Sequence, residues 1–281
     1  MKKGLLYLVG TPIGNMEDIT IRALKTLREV DLIAAEDTRR TVKLLNRYRI
    51  KTPLTSYHEH NKKDKGMKLL QKLEYGIELA LVSDAGMPGI SDPGEELVRM
   101  ALEKGIRVTV LPGACALVTG IVLSGLSTEA FTYTGFLPRA GKDRIKQLER
   151  LKAGNETLVF YEAPHRLLDT LRNIYEIMGD RRVAVARELT KVHEDVVRGC
   201  LGQVLNRLKD VEPRGEYVVV VEGRPIAETI REAREYWREM TIEEHYGMYL
   251  EKGYERMDAM KMVAADRGVS KRDVYAQIKK A

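Results

Sequence analysis

Only two cysteines, Cys115 and Cys200, occur in the 281 residues. That excludes a disulfide framework and any cysteine-based zinc spacing. The opening "MKKGLLYLVG" lacks the long apolar core of a signal peptide and runs straight into a turn, so the expected setting is a soluble protein in a reducing cytoplasm. Acidic residues are outnumbered, 41 against 47 basic, for a net charge of +6. The excess is compatible with a nucleic-acid partner without requiring one. Charge is absent from residues 108 to 128, "VTVLPGACALVTGIVLSGLST", long enough to span a bilayer. Pro112-Gly113 breaks that run and Gly120 and Gly125 interrupt it, so a buried strand, a turn and a core helix are expected instead.

Two nucleotide signatures are also missing. After a first apolar run, Gly10-Thr11-Pro12-Ile13-Gly14-Asn15 holds its glycines too far apart for G-x-G-x-x-G, and Pro12 removes an amide donor. No glycine-lysine-serine/threonine loop occurs. Glu36-Asp37, where a dinucleotide fold places its ribose acid, is followed at once by Thr38-Arg39-Arg40. The nicotinamide-dinucleotide reading is therefore rejected. His58 and His60 have spacing for a metal on an extended segment, but no further spaced ligand accompanies them, and no metal is expected.

What is present alternates strand and helix. Strands are expected at 5–9, 31–35, 79–83 and 106–111, with helices near 19–29, 38–48, 63–75 and 93–104. This is the pattern of βαβ units and a largely parallel sheet. Asp92-Pro93 reads as an N-cap followed by proline at the first helical position. A helix over 114–124 leads to a second set: strands at 131–136, 157–162, 182–188, 194–200 and 216–223, and helices near 142–152, 165–178 and 202–209. The expected fold class is α/β, with an N-terminal domain over 1–120, a second over 121–225 and a helical tail over 226–281. The end of the tail reads as two short helices about Gly268-Val269-Ser270, with six basic residues against two acids over 259–281. That suits a helix-turn-helix and equally a helical cap.

Unusual residues cluster at expected strand ends, where open α/β sheets bind ligands. They are Gly10–Asn15, "SDAGMPGISDPG" from Ser83 to Gly94, Pro112–Ala116, "GFLPR" (135–139), "YEAPHR" (161–166) and "RELTK" (187–191). The Ser83–Gly94 loop combines close-approach glycines, rigid prolines and acceptor aspartates without basic neighbours. It suits a neutral or cationic ligand, such as an adenosine-bearing sulfonium, better than a polyphosphate. Asp84 is assigned to the ligand and Asp92 to the helix start.

These motifs, with "LVGTPIGN", "AEDTRRT", "SYHEHN", "LPGACA" and "RELTKVHED" in order over residues 8 to 195, resemble the tetrapyrrole-methylase superfamily of S-adenosylmethionine-dependent methyltransferases. Within it they look like the branch that methylates the ribose 2′-hydroxyl of a cytidine in the decoding region of 16S rRNA. The resemblance implies two α/β domains, S-adenosylmethionine in the cleft between them, and a homodimer. By position it implies cofactor contacts at Ser83, Asp84, Ile90, Cys115, Ala116, Tyr161, Glu162 and Leu189.

The expected functional cluster is Glu36, Arg39, Arg166, Glu188 and Lys191, with the base open among Glu36, Asp37, His165, Glu188, Lys191 and Glu194. Arg39 could instead pair with Glu36, and Glu188 with Lys191. RNA contacts are expected from Arg40, Arg139, Lys142, Arg144, Lys271, Arg272 and Lys279, with Tyr57, His58 and His60 as stacking surfaces. A tetrapyrrole methyltransferase and a non-catalytic RNA-binding assembly protein remain as alternatives.

Overall fold

A computed structural model describes residues 2–225 and 236–279; the expected helical stretch at 226–235 lies outside them. The first half alternates as its hydrophobic runs require: β1 (Leu5–Val9), α1 (Ile21–Glu29), β2 (Leu32–Ala35), α2 (Thr38–Arg47), β3 (Leu54–Ser56), α3 (Lys62–Glu74), β4 (Leu79–Val82), α4 (Gly94–Glu103) and β5 (Arg107–Leu111). The strands form one sheet in the order β3-β2-β4-β1-β5, and every pairing is parallel. β4 is buried at all four positions, as a strand covered on both faces must be. Ala23 and Leu27 of α1 and Leu44 and Leu45 of α2 pack on one face of the sheet. Leu69 and Leu73 of α3 and Leu97 of α4 cover the other. The short edge strand β3 was not expected; its Leu-Thr-Ser carries too little apolar pattern to be read locally.

The uncharged stretch resolves into β5, the Pro112–Cys115 turn and α5 (Ala116–Ser124). Among the described residues no helix is long and apolar enough to cross a membrane. α5 packs its Leu117 and Ile121 on the second sheet, so the expected boundary near residue 120 falls inside this helix. A Cβ on Gly120 would lie 2.6 Å from Val218 Cγ1, which shows how closely helix and sheet approach.

That second sheet is built from β6 (Phe131–Phe136), β7 (Thr157–Glu162), β8 (Arg182–Arg187), β9 (Asp195–Cys200) and β10 (Tyr217–Val221), ordered β6-β7-β10-β8-β9. Its intervening helices are α6 (Gly141–Leu151), α7 (Leu167–Met178) and α8 (Leu201–Leu208). β6 and β7 run parallel, whereas β10 is antiparallel to both β7 and β8. Along central β10, Tyr217, Val219 and Val221 face the core under α7 and α8, and Val218 and Val220 face α5, the two-residue period of a strand. Both sheets belong to one compact unit, Met1–Gly223.

The second unit, from Arg224, contains α9 (Ile242–Glu251), α10 (Arg256–Arg267) and α11 (Lys271–Ile278). Gly268 ends α10 in the left-handed conformation, and Ser270 caps α11 through a box with Asp273. The three helices enclose Tyr249, Ala259, Met260, Val263 and Val274. Arg267 is structural: its guanidinium donates to the carbonyls of Trp237, Met240 and Thr241 and sits over the Trp237 ring.

Candidate active site

Strands β1, β2, β4 and β5 run parallel, so the turns at their carboxyl ends gather at one edge of the first sheet. Gly10 and Gly113 meet backbone to backbone: a Cβ on Gly10 would lie 2.9 Å from Gly113 Cα. Thr11 and Gly86 exchange backbone hydrogen bonds of 2.9 and 3.1 Å, which tie the first turn to the Ser83–Gly94 loop. Gly86, Gly89 and Ser91 all have positive φ, 81°, 91° and 61°. Asp92 receives the Gly89 and Gly94 amides at 2.7–2.9 Å, so its carboxylate both starts α4 and closes the loop. α4 begins at Gly94, with Pro93 in the cap position.

The second sheet supplies the opposite wall. Its loop after β8 holds two non-glycine residues at positive φ, Glu188 (51°) and Thr190 (65°), a strain that persists where surrounding contacts over-determine it. Part of that support comes from the first half. A Cβ on Gly14 would lie 2.6 Å from the Leu189 carbonyl oxygen, and the Asn15 amide donates to Thr190 Oγ1 at 2.9 Å. Gly10–Asn15 is thus the floor on which the second half's loop rests. Across the gap, Ser91 Oγ and the Tyr133 hydroxyl are 2.7 Å apart.

Between these walls lies a cavity of about 360 Å3, within the usual range for small-molecule sites. Ser83, Asp84, Ile90, Cys115, Ala116, Tyr161, Glu162 and Leu189 all line it. The Tyr161 hydroxyl accepts the Leu117 amide at 3.0 Å, and its ring meets Tyr133 and Phe136 edge to face. Burial pushes the Tyr161 phenol well above its ordinary range. A second cavity of about 490 Å3 adjoins the first and shares Ile13, Arg40, Asp84, Glu188 and Lys191 with it.

Six carboxylates line the first cavity against two cations, Arg40 and Lys191. Asp84 accepts the Asp37 amide at 2.8 Å and pairs with Arg40 at 3.4 Å, so it does have a basic neighbour, brought by the turn into α2. Glu36 is pushed up from the ordinary carboxylate range by burial, and further by the charges of Asp84 and Asp92. The folded chain therefore holds the Glu36 proton through an interval in which the unfolded chain has lost it, so stability falls as pH rises through that interval. Glu36→Gln is expected to remove this contribution. The urea midpoint of the variant should fall less than that of the wild type between the ordinary carboxylate range and neutral pH.

Of the expected functional cluster, Glu36, Glu188 and Lys191 line the cavity, with Lys191 Nζ 3.0 Å from Glu188 Oε1. Arg39 and Arg166 do not. Arg39 forks onto Asp37 at 2.8 and 3.0 Å rather than onto Glu36, and holds that carboxyl down at about 2. Arg166 turns inward to the Leu137 and Pro138 carbonyls and to the buried Glu162. The Glu162 carboxylate is itself engaged by Thr170 Oγ1 and the Ala163 amide. Glu194 accepts the Thr190 amide, a loop-closing role, and His165 is exposed.

Arg40 belongs to both cavities, whereas Arg139 and Lys142 are exposed beyond β6 and Arg144 is anchored on Asn173. In the second unit Arg272 and Lys279 are exposed and Lys271 is half-buried. Tyr57 is no stacking surface: it is 1% exposed and donates to the Pro93 carbonyl. His58 is half-buried against Asn61, and His60 is exposed. Among the described residues no group of three or more histidine, cysteine or carboxylate side chains could hold a metal. Sequence reasoning missed Phe136, Ser91, Glu216 and Tyr217. The last two precede or open β10, whose antiparallel course brings its amino end beside Glu162 and Arg187.

The family model described as Tetrapyrrole (Corrin/Porphyrin) Methylases matches residues 5–205. The chain is 50% identical over 273 residues to ribosomal RNA small subunit methyltransferase I of Halalkalibacterium halodurans, covering 97% of this chain and 94% of the relative. The protein of the same name from Thermotoga maritima is 53% identical over 221 residues, covering 79% of this chain and 99% of its own length. Among solved structures, diphthine synthase matches with a TM-score of 0.61 at 17% identity, over 82% of this chain and 95% of that one. Uroporphyrin-III C-methyltransferase from Thermus thermophilus, complexed with S-adenosyl homocysteine, matches with a TM-score of 0.57 at 20% identity, over 81% and 99%. These two structures share the chain's fold.

Proposed function

Since the chain belongs to the tetrapyrrole (corrin/porphyrin) methylase family, we propose that it methylates the ribose 2′-hydroxyl of a cytidine in the decoding region of 16S rRNA. Its methyl donor is S-adenosylmethionine, which supplies an electrophilic methyl group on a sulfonium. The donor set fits that cation: the first cavity is rich in carboxylates, has aromatic edges at Tyr161 and Phe136, and has backbone laid open by the glycines of Ser83–Gly94. The relatives named as ribosomal RNA small subunit methyltransferase I support an rRNA acceptor. An rRNA acceptor in turn supports a cytoplasmic setting, and family membership supports a homodimer.

One observation carries the mechanism: the two cavities meet at Asp84 and at the strained Glu188–Lys191 loop. We assign the second cavity to the acceptor nucleotide. Methyl transfer is an in-line displacement, so alignment of oxygen, carbon and sulfur supplies much of the rate. The walls common to both cavities are where that alignment is set. Asp84 and Glu36 offer negative charge to the sulfonium side. We assign Glu188, paired with Lys191 and lining both cavities, the role of taking the hydroxyl proton.

Incubation with methyl-labelled cofactor and either small ribosomal subunits, naked 16S rRNA or porphyrinogens tests the reading. The expected outcome is label on one cytidine ribose. Label on a base nitrogen, on a tetrapyrrole, or on no substrate would contradict it.

A further inference from the structure

We propose that the solvent face of α2 is a track for the RNA backbone, on which Lys43 and Arg47 bind phosphates flanking the acceptor nucleotide. The inference rests on the ribose-methylation reading of the cleft and extends it to residues beyond the reacting groups.

α2, "TRRTVKLLNR", has four cations and no acid. Thr41, Leu44 and Leu45 are its buried side, so Arg39, Lys43 and Arg47, four residues apart, share the outer face. Capped by Asp37 at the site end of β2, the helix runs away from the cavities. Arg40 and Lys43 line the second cavity, and Arg47 lies one turn further out. Four residues rise about 6 Å, close to the length of one nucleotide of backbone.

The charge on this helix is graded. Arg39 and Arg40 are matched by Asp37 and Asp84, whereas Lys43 and Arg47 are exposed and make no ion pair among the described residues. α3 also carries exposed cations without an ion pair among the described residues, Lys63, Lys68 and Lys72. They lie on the opposite face of the sheet and line neither cavity, and several cations of the neighbouring helices are matched. Lys25 pairs with Glu29 on α1, Lys62 with Glu59 and Glu96 beside α3, and Arg99 with Glu103 on α4. Uncompensated charge leading straight out of an acceptor cavity complements a polyanion. Lysine meets phosphate as a point charge and arginine in a fork.

The test compares full-length wild type with Lys43→Ala/Arg47→Ala and with Lys68→Ala/Lys72→Ala. The second pair removes the same charge from exposed positions of α3, on the opposite face of the sheet. Binding to in vitro transcribed 16S rRNA is measured against salt, alongside calorimetric affinity for S-adenosylmethionine. The α2 variant should bind RNA roughly tenfold more weakly, with a log–log salt slope shallower by about 1.4–1.8, and should hold the cofactor as the wild type does. The α3 variant should bind RNA normally. Unchanged RNA affinity in the α2 variant, or an equal loss in the α3 variant, would overturn the track. Methylation is scored separately: a wild type that binds RNA without methylating it sinks the catalytic reading, while the binding slopes still decide the track.

Discussion

Replacing Glu162 with alanine is expected to lower stability by about 3–5 kcal/mol, the usual cost of removing one partner of a buried ion pair. The Glu162 side chain is 0% exposed and that of Arg166 13%, with Oε1 and Nε 3.3 Å apart. Without the carboxylate, Arg166 keeps its charge at a largely buried position, and the Thr170 hydroxyl loses its 2.6 Å acceptor. Arg166 also holds the Leu137 and Pro138 carbonyls, so the loop behind Phe136, an edge of the cavity, should loosen as well. Such a loss is a large fraction of an ordinary stability of about 5–15 kcal/mol. Urea denaturation provides the measure. Glu162→Gln, which keeps an acceptor without the charge, should lose less. The double variant Glu162→Leu/Arg166→Met should recover much of the deficit, because the penalty lies mainly in the stranded charge. A loss below about 1 kcal/mol in the alanine variant would mean that water reaches Arg166.

Asp84→Ala should have the largest effect on ligand binding. Its carboxylate stands at the wall common to both cavities and is held in place by the Asp37 amide and Arg40. Loss of a charged contact of about 1.5–3 kcal/mol corresponds to S-adenosylmethionine binding roughly 10- to 100-fold more weakly. The effect should be smaller for S-adenosylhomocysteine, which lacks the sulfonium charge, so the ratio of the two affinities isolates electrostatic recognition from shape. Asp84→Asn, which can still accept from the Asp37 amide, should retain the fold and most of the affinity for S-adenosylhomocysteine. Calorimetry with both ligands measures the ratio. Equal weakening for the two would assign Asp84 to loop architecture rather than to the cation.

Much of this site is local in origin. A strand that ends in glycine, proline or an acid before a helix creates a βα turn wherever the chain goes, and parallel strands bring such turns to one edge. Ser83–Gly94 and Arg187–Lys191 could therefore be read as ligand loops without knowing what faced them. The same holds for the Pro112-Gly113 break, which turns an uncharged stretch into β5, a turn and α5. Asp92 was legible as a helix-start residue because its partners, the Gly89 and Gly94 amides, lie within three residues.

Long-range pairing decided the rest. Glu216 and Tyr217 sit at the start of a strand, and they reach the cavity because β10 lies antiparallel between β7 and β8. No local pattern states the direction of that pairing. Arg39 and Arg166 have the right chemistry at the right loops, yet a nearer carboxylate and inward-facing carbonyls claim them. Tyr57 follows a strand with its hydroxyl bound to Pro93, a partner supplied by another turn of the sheet. By itself, the sequence determined which turns line the cavities, because turn conformation follows from φ preferences and missing donors within a few residues. Only the tertiary structure decided which side chains in those turns face the cavity, because that choice depends on charges and backbone groups brought from elsewhere in the chain.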